Sequence, residues 1–210
     1  GIVQIDSVAG PSEIAIVAGP GTDPDLIAAD LIAQAEHGPL GSFPLITWDE
    51  SLPPAVEAAL EEALGAIGAT PDLLSALDDG CCTVLVADRA QAIEAAERFA
   101  PEHIELIFDG AEEAAGTLRN AGAIFVGPWS PVSLGDYLAG SNHVLPTAAS
   151  ARFASGLRTS HFQRASAVIV ATEASLAASR DHLRVFAEAE RLPNHARAVD
   201  ARFRGNGAPS

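Results

Sequence analysis

The stretch Asp88-Arg-Ala-Gln-Ala-Ile-Glu-Ala-Ala-Glu-Arg-Phe-Ala-Pro-Glu-His-Ile-Glu-Leu-Ile-Phe108 sets out the architecture in miniature. Asp88 opens a helix over residues 89–99, Pro101 stops it, and Ile104-Glu-Leu-Ile107 is an apolar run of strand length. Runs of that kind recur at residues 13–18, 44–48, 82–87, 104–108, 123–127 and 167–171, and alanine-rich amphipathic stretches separate most of them. The alternation predicts an α/β protein with a largely parallel sheet. Upstream, Asp23 is placed to cap a helix, Pro24 to fit its first turn and Gly38-Pro39 to stop it, with Leu26, Ile27 and Leu31 burying one side. Gln34 and His37 then project from neighbouring points at its C-terminal end, within reach of one ligand or simply exposed there. Pro53-Pro54 precedes a helix over 55–66, and another follows Pro71.

The turn Pro101-Glu102-His103 places a carboxylate next to an imidazole at the mouth of a strand, an acid/base pair or else a solvated turn. An incoming strand end is the wrong edge for a ligand of an α/β sheet unless the topology cooperates. Further on, Gly127-Pro-Trp-Ser-Pro-Val-Ser-Leu-Gly-Asp-Tyr-Leu-Ala-Gly-Ser-Asn-His-Val-Leu-Pro-Thr147 is too rich in glycine, proline and polar residues to be core. It reads as one irregular loop holding Asp136 and His143, which suits a metal or acid/base site as well as a long surface loop.

With 210 residues, 48% of them hydrophobic, the chain can bury a sizeable core. A net charge of −16, from 28 acidic residues against 12 arginines and no lysine, argues against nucleic acid or an anionic membrane as partner and suits a cation or metal ion. Cys81 and Cys82 read as a buried pair of small hydrophobes. No apolar run reaches the length of a membrane span, and the start lacks a signal-peptide pattern, so a reducing cytoplasm is expected. Gly1 without methionine, close to a strand-like run, reads as a cut through a longer protein or a tag scar. After Ser155 the composition changes. A helix over 173–190 broken by Leu192-Pro-Asn-His195, with arginines at 180, 184, 191, 197, 202 and 204, predicts a helical appendage, and 205–210 a frayed tail. Taken alone, Glu190 and His195 at its bend are ordinary surface residues. The expected domains are 1–157 and 158–210.

The pieces Gly10-Pro-Ser-Glu13, Ala28-Ala-Asp-Leu-Ile-Ala-Gln-Ala-Glu-His37, Ala100-Pro-Glu-His-Ile-Glu-Leu106, Asn120-Ala-Gly-Ala-Ile-Phe-Val-Gly-Pro128, Gly135-Asp-Tyr-Leu-Ala-Gly-Ser-Asn-His-Val-Leu-Pro-Thr147 and Ala151-Arg-Phe-Ala-Ser-Gly156 together resemble the L-histidinol dehydrogenase family. The resemblance implies an incomplete Rossmann-like parallel sheet with flanking helices and a small mainly helical C-terminal appendage. It implies a zinc ion held by Gln34, His37 and Asp136, with His195 as fourth ligand from the other subunit of a homodimer. It also implies Glu102 and His103 as acid/base residues, and Ser12, His143 and Glu190 around the substrate L-histidinol, beside the zinc ligands and His103. The implied reaction is a four-electron oxidation to L-histidine by way of the aldehyde, passing two hydrides to NAD. Family members are roughly twice this length, and the missing N-terminal half carries most of the NAD contacts. No Gly-x-Gly-x-x-Gly fingerprint appears, so the chain is expected to bind NAD poorly and, with sheet surface left uncovered, to associate. The alternatives are a non-catalytic zinc-binding or interaction remnant and a paralogue that oxidises another small alcohol.

Overall fold

The computed structural model describes Ile5 and residues 9–204. Five strands, β1 (Ile14–Ala18), β2 (Phe43–Thr47), β3 (Cys81–Leu85), β4 (His103–Ile107) and β5 (Ala123–Val126), pair in parallel in the order β3-β2-β1-β4-β5. The three central strands are buried along their whole length. They therefore read in the sequence as unbroken apolar runs, as strands covered on both faces must. Successive residues of β1 enter different cores. Ile14, Ile16 and Ala18 pack with α1 (Pro24–Ala35), α2 (Leu52–Ile67) and α3 (Pro71–Gly80), whereas Ala15 and Val17 pack with α4 (Arg89–Phe99) and α5 (Ala111–Ala115). A sixth helix, α6 (Val132–Tyr137), returns to the first of these faces through Val132.

The local signals act where the sequence puts them. Asp23 accepts the Asp25 amide, Thr70 the Leu73 amide and Asp88 the Gln91 amide, capping α1, α3 and α4. Other expectations need correction. Helix α2 takes Pro53 and Pro54 into its first turn, where a missing N–H costs nothing. Leu26 is half-exposed, and Ile27, Ala28, Leu31, Ile32 and Ala35 bury α1 instead. Cys81 is half-buried and Cys82 exposed, because β3 is an edge strand. The supposed loop at 127–147 contains α6, so Asp136 sits on a helix.

The run at 167–171 is not a strand. Val168, Ile169 and Val170 are exposed, and no neighbour among the described residues pairs with them. Apolar β-branched composition marks a strand only where a partner supplies the ladder.

The chain divides into two compact units, Gly1–Gln163 and Arg164–Ser210. The second is mainly helical. Its α7 (Glu173–Ala189) begins with a reciprocal Thr172–Ser175 cap, and α8 (Pro193–Asp200) is tied to it through Asp200, 2.7 Å from Arg180 and 3.4 Å from Arg184. The tail at 205–210 and the Gly1 terminus lie outside the described residues.

Candidate active site

In a parallel sheet all strands begin at one edge, and each crossover helix runs back towards it. The residues just before β1 and β4 therefore meet the last turn of α1. Helix α6, entered after β5, makes the same return. This brings Ser12, Gln34, His37, Glu102, His103, Asp136 and His143 around one cavity of about 430 Å³, with Tyr137 as an eighth wall. The site lies at the amino edge of the sheet, the edge that sequence reasoning held unfavourable, because two helix C-terminal ends converge there. A larger cleft of about 690 Å³ opens between the end of α1 and the start of α3 and is lined by none of these residues.

The Glu102-His103 turn is held by Glu13. The Glu13 amide donates to Glu102 Oε2 at 3.1 Å, and the Glu102 amide donates to Glu13 Oε2 at 3.2 Å. Glu13 Oε1 accepts the Ala148 amide at 3.2 Å, anchoring the segment that follows His143. The Glu13 carbonyl accepts both the His103 amide at 3.1 Å and His103 Nδ1 at 2.9 Å. A carbonyl can only accept, so Nδ1 carries the hydrogen and Nε2 is left with its lone pair. Gly122, just before β5, packs against the same turn. A β-carbon there would stand 2.5 Å from the Glu102 carbonyl oxygen, which accepts the Ala123 amide at 2.9 Å.

Burial moves the two groups in opposite directions. Glu102 is pushed up to about 7, first by desolvation, while the Glu13 amide opposes the shift and the Glu13 carboxylate adds to it. Desolvation also lowers His103, against the Glu13 carbonyl and the Asp136 charge. Near neutral pH His103 is therefore an uncharged imidazole with Nε2 free, and Glu102 is poised between its acid and its base.

The donor set fits a divalent transition metal. His37 Nδ1 lies 3.1 Å from the Gln34 carbonyl, so this ring too must carry its hydrogen there and offer Nε2, the second-shell arrangement of a metal-bound histidine. Gln34 is buried and its Nε2 meets no partner, an orphan that marks an amide held for something other than the fold. Asp136 adds a carboxylate. No three His, Cys, Asp or Glu side chains form a ready cage among the described residues, so an amide, an imidazole and a carboxylate would need a fourth donor from elsewhere. Glu190 ends α7 and His195 lies in the first turn of α8, both exposed on the second unit.

Four residues escaped the sequence reading as site components. Glu13 was only part of a quoted motif, and its signal was an acid just ahead of a buried strand. Glu105 and Asp30 are acids inside otherwise apolar patterns, and Tyr137 stands next to Asp136.

A profile of the histidinol dehydrogenase family matches residues 1–203. The histidinol dehydrogenase of Nocardia farcinica is 47% identical over 204 residues, which cover 97% of this chain and 46% of the relative. That of Caulobacter vibrioides is 42% identical over 204 residues, covering 97% and 47%. The crystal structure of histidinol dehydrogenase from Elizabethkingia anophelis superposes with a TM-score of 0.85 at 32% identity, over 96% of this chain and 46% of that one. The chain thus spans about half the length of the curated relatives it matches. By fold, site and sequence together, the chain belongs to the histidinol dehydrogenase family.

Proposed function

We propose that this chain supplies the metal-binding and acid–base residues of an NAD-linked oxidation of L-histidinol to L-histidine in the cytoplasm. The observation that carries the reading is His103, held through Nδ1 on the Glu13 carbonyl beside Glu102, on a cavity shared with Gln34, His37 and Asp136.

Zinc bound by Gln34, His37, Asp136 and the His195 of a second copy in a homodimer would supply a Lewis-acid anchor for the substrate's nitrogens and alcohol oxygen. His103 Nε2 accepts the alcohol proton as the carbon gives up its first hydride to NAD, leaving the aldehyde. Glu102, ionised, takes a proton from water as that water adds to the aldehyde, and the hydrate then loses the second hydride. Two oxygens of different origin must each lose a proton, and adjacent residues on one braced turn meet that need. Ser12, His143 and Glu190 bind the substrate around this centre. The test is NADH formation from histidinol in the presence of zinc. Loss of turnover in His103→Asn with retained zinc binding supports the assignment, whereas full turnover in that variant refutes it.

A narrower reading, in which this chain binds zinc but turns nothing over alone, is favoured by the β1–α1 turn. Folds of this class seat a dinucleotide's phosphates there. Here Pro20 has no N–H to offer, the Thr22 amide is bonded to the Gly19 carbonyl, and the Asp23 carboxylate caps the helix. Saturable NAD binding by the 210-residue chain would exclude this reading.

A further inference from the structure

Residues 143–148 form a strap that joins the cavity wall at His143 and ends at a strained corner. Ala148 and Ala149 both hold left-handed backbone, with φ of 52° and 57°. An L-residue with a side chain pays for that conformation where glycine does not, and the strain persists only where the surroundings impose it. Here they do. The Val144 carbonyl accepts the Leu157 amide at 2.9 Å, and the Thr147 carbonyl accepts the Ser150 amide at 3.1 Å and the Ser150 hydroxyl at 2.6 Å. Leu145 and Pro146 lie against Gly122, where a β-carbon would come within 3.2 Å and 3.1 Å of them, and Thr147 lies against Gly10. The corner itself is tied by the Ala148 amide, which donates to Glu13 Oε1.

Glu13 is buried just ahead of β1, and its backbone is fixed from both sides. The Ile14 amide donates to the Ser42 carbonyl at 3.1 Å and the Ser42 amide to the Ser12 carbonyl at 3.4 Å, while the Glu13 carbonyl holds His103. From that fixed point the carboxylate reaches two amides far along the chain: Glu102, 89 residues on, through Oε2, and Ala148, 135 residues on, through Oε1. Neither amide lies in a helix or strand. We propose that Glu13 is a positioning residue whose carboxylate bridges the Glu102-His103 turn to the strained corner at Ala148. One side chain thereby sets the base side of the cavity against the side that carries His143. Glu13 touches no reacting atom. The part played by His143 rests on the function proposed above; the bridge rests on the two hydrogen bonds. A carboxylate accepts on both oxygens, whereas a glutamine amide accepts on one and turns N–H against N–H at the other. Gln34 and His37 sit at the end of α1 and Asp136 on α6, so the bridge governs substrate more than metal.

The experiment uses the whole chain, with zinc and then histidinol as probes, read by dye competition, calorimetry and amide hydrogen exchange. In the parent, the Ala148 amide should be protected from exchange although it lies outside any regular element. Free exchange there overturns the bridge without any variant. Glu13→Gln should bind zinc within about threefold of the parent and histidinol at least about tenfold more weakly. Ala148→Gly lifts the strain at the corner, so the double variant E13Q/A148G should recover at least about threefold of the lost histidinol affinity. A bond that served only the general stability of the fold would lower zinc and histidinol together, and a glycine at the corner would not restore either. Parent-like histidinol binding in Glu13→Gln, equal losses of zinc and histidinol, or no recovery in the double variant overturns the bridge. If Glu13→Gln does not fold, Glu13→Asp decides: it keeps the charge but is too short to span both amides, so it must lose histidinol and keep zinc. If the parent binds zinc but no histidinol, the substrate reading fails, and exchange at Ala148 still judges the bridge.

Discussion

At the carboxyl edge of the sheet, Thr22 Oγ1 donates to the carbonyls of Gly19 and Ile107 at 2.8 Å each, and Thr47 Oγ1 donates to the carbonyl of Ala18 at 2.8 Å. Trp48 and Phe108 meet edge-to-face above them, with centroids 5.4 Å apart. These groups are neutral or aromatic, and they close the crevice between β1 and β4, where the strand order reverses. At the amino edge of the same two strands, Glu13, Glu102 and His103 are buried together and hydrogen-bonded through one another's backbones. The contrast teaches that strand polarity alone does not place a site. The carboxyl edge is where crossovers begin, and here its polar groups are satisfied by neighbouring backbone. The amino edge receives the ends of α1 and α6, so side chains from four separate segments converge on it.

The largest effect expected from this contrast is on metal. His37→Ala removes a donor and should weaken zinc by more than about a hundredfold, beyond what the loss of an outer partner costs. Thr22→Val at the opposite edge should leave zinc within about threefold. Equal losses in the two variants, read by dye competition, would erase the distinction between the edges.

Next come two tight glycines, one at each edge. Gly122→Ala forces a β-carbon to 2.5 Å from the Glu102 carbonyl, and Gly19→Ala forces one to 2.7 Å from Phe108 Cβ. Each should destabilise by about 1–3 kcal/mol in thermal or urea unfolding. Only Gly122→Ala should also weaken zinc and histidinol binding.

An effect of similar size on stability is expected from Glu13→Gln. The amide replaces one of two acceptor oxygens, so either the Glu102 or the Ala148 amide loses its partner, at about 1–3 kcal/mol. Removing the nearby Glu13 charge should lower the Glu102 midpoint, measurable by carboxyl-selective NMR titration.

The last effect concerns pH. Glu102 has its folded pKa raised from 4.5 to about 7, so the folded protein holds this proton more firmly than the unfolded chain does. Its contribution to stability must fall as pH rises from 4.5 to about 7 and then level off. Glu102→Gln should flatten that part of the melting curve, with no comparable change from Asp49→Asn at the carboxyl edge.

Five of the six predicted strands form, and the three central ones were legible because burial on both faces leaves an unbroken apolar run. The sixth, at 167–171, has the same composition but no hydrogen-bonding partner among the described residues, and composition does not report partners. Helix starts were legible where a cap is local, as at Asp23 and Asp88. The start of α6 was not, because its cap is Glu105, 27 residues away in sequence. The same division holds for the site. Seven of the nine residues expected there line one cavity. Their family pattern marked them; their sequence spacing did not, since Gln34 and Asp136 are brought together only by the return of two helices. Glu13 went unassigned because its part in the site is carried by backbone amides and a carbonyl, groups that every residue has and no motif displays.

The direction in which α1 runs has a consequence for what the cavity will admit. A helix ends in carbonyl oxygens without amide partners and carries a partial negative charge of roughly half an electron there. Gln34 and His37 sit at that pole, with Asp136 at the end of a second, shorter helix. Before any substrate arrives, the backbone itself tilts the local field towards divalent cations and ammonium groups. For an anion such as phosphate the field at this pole is unfavourable.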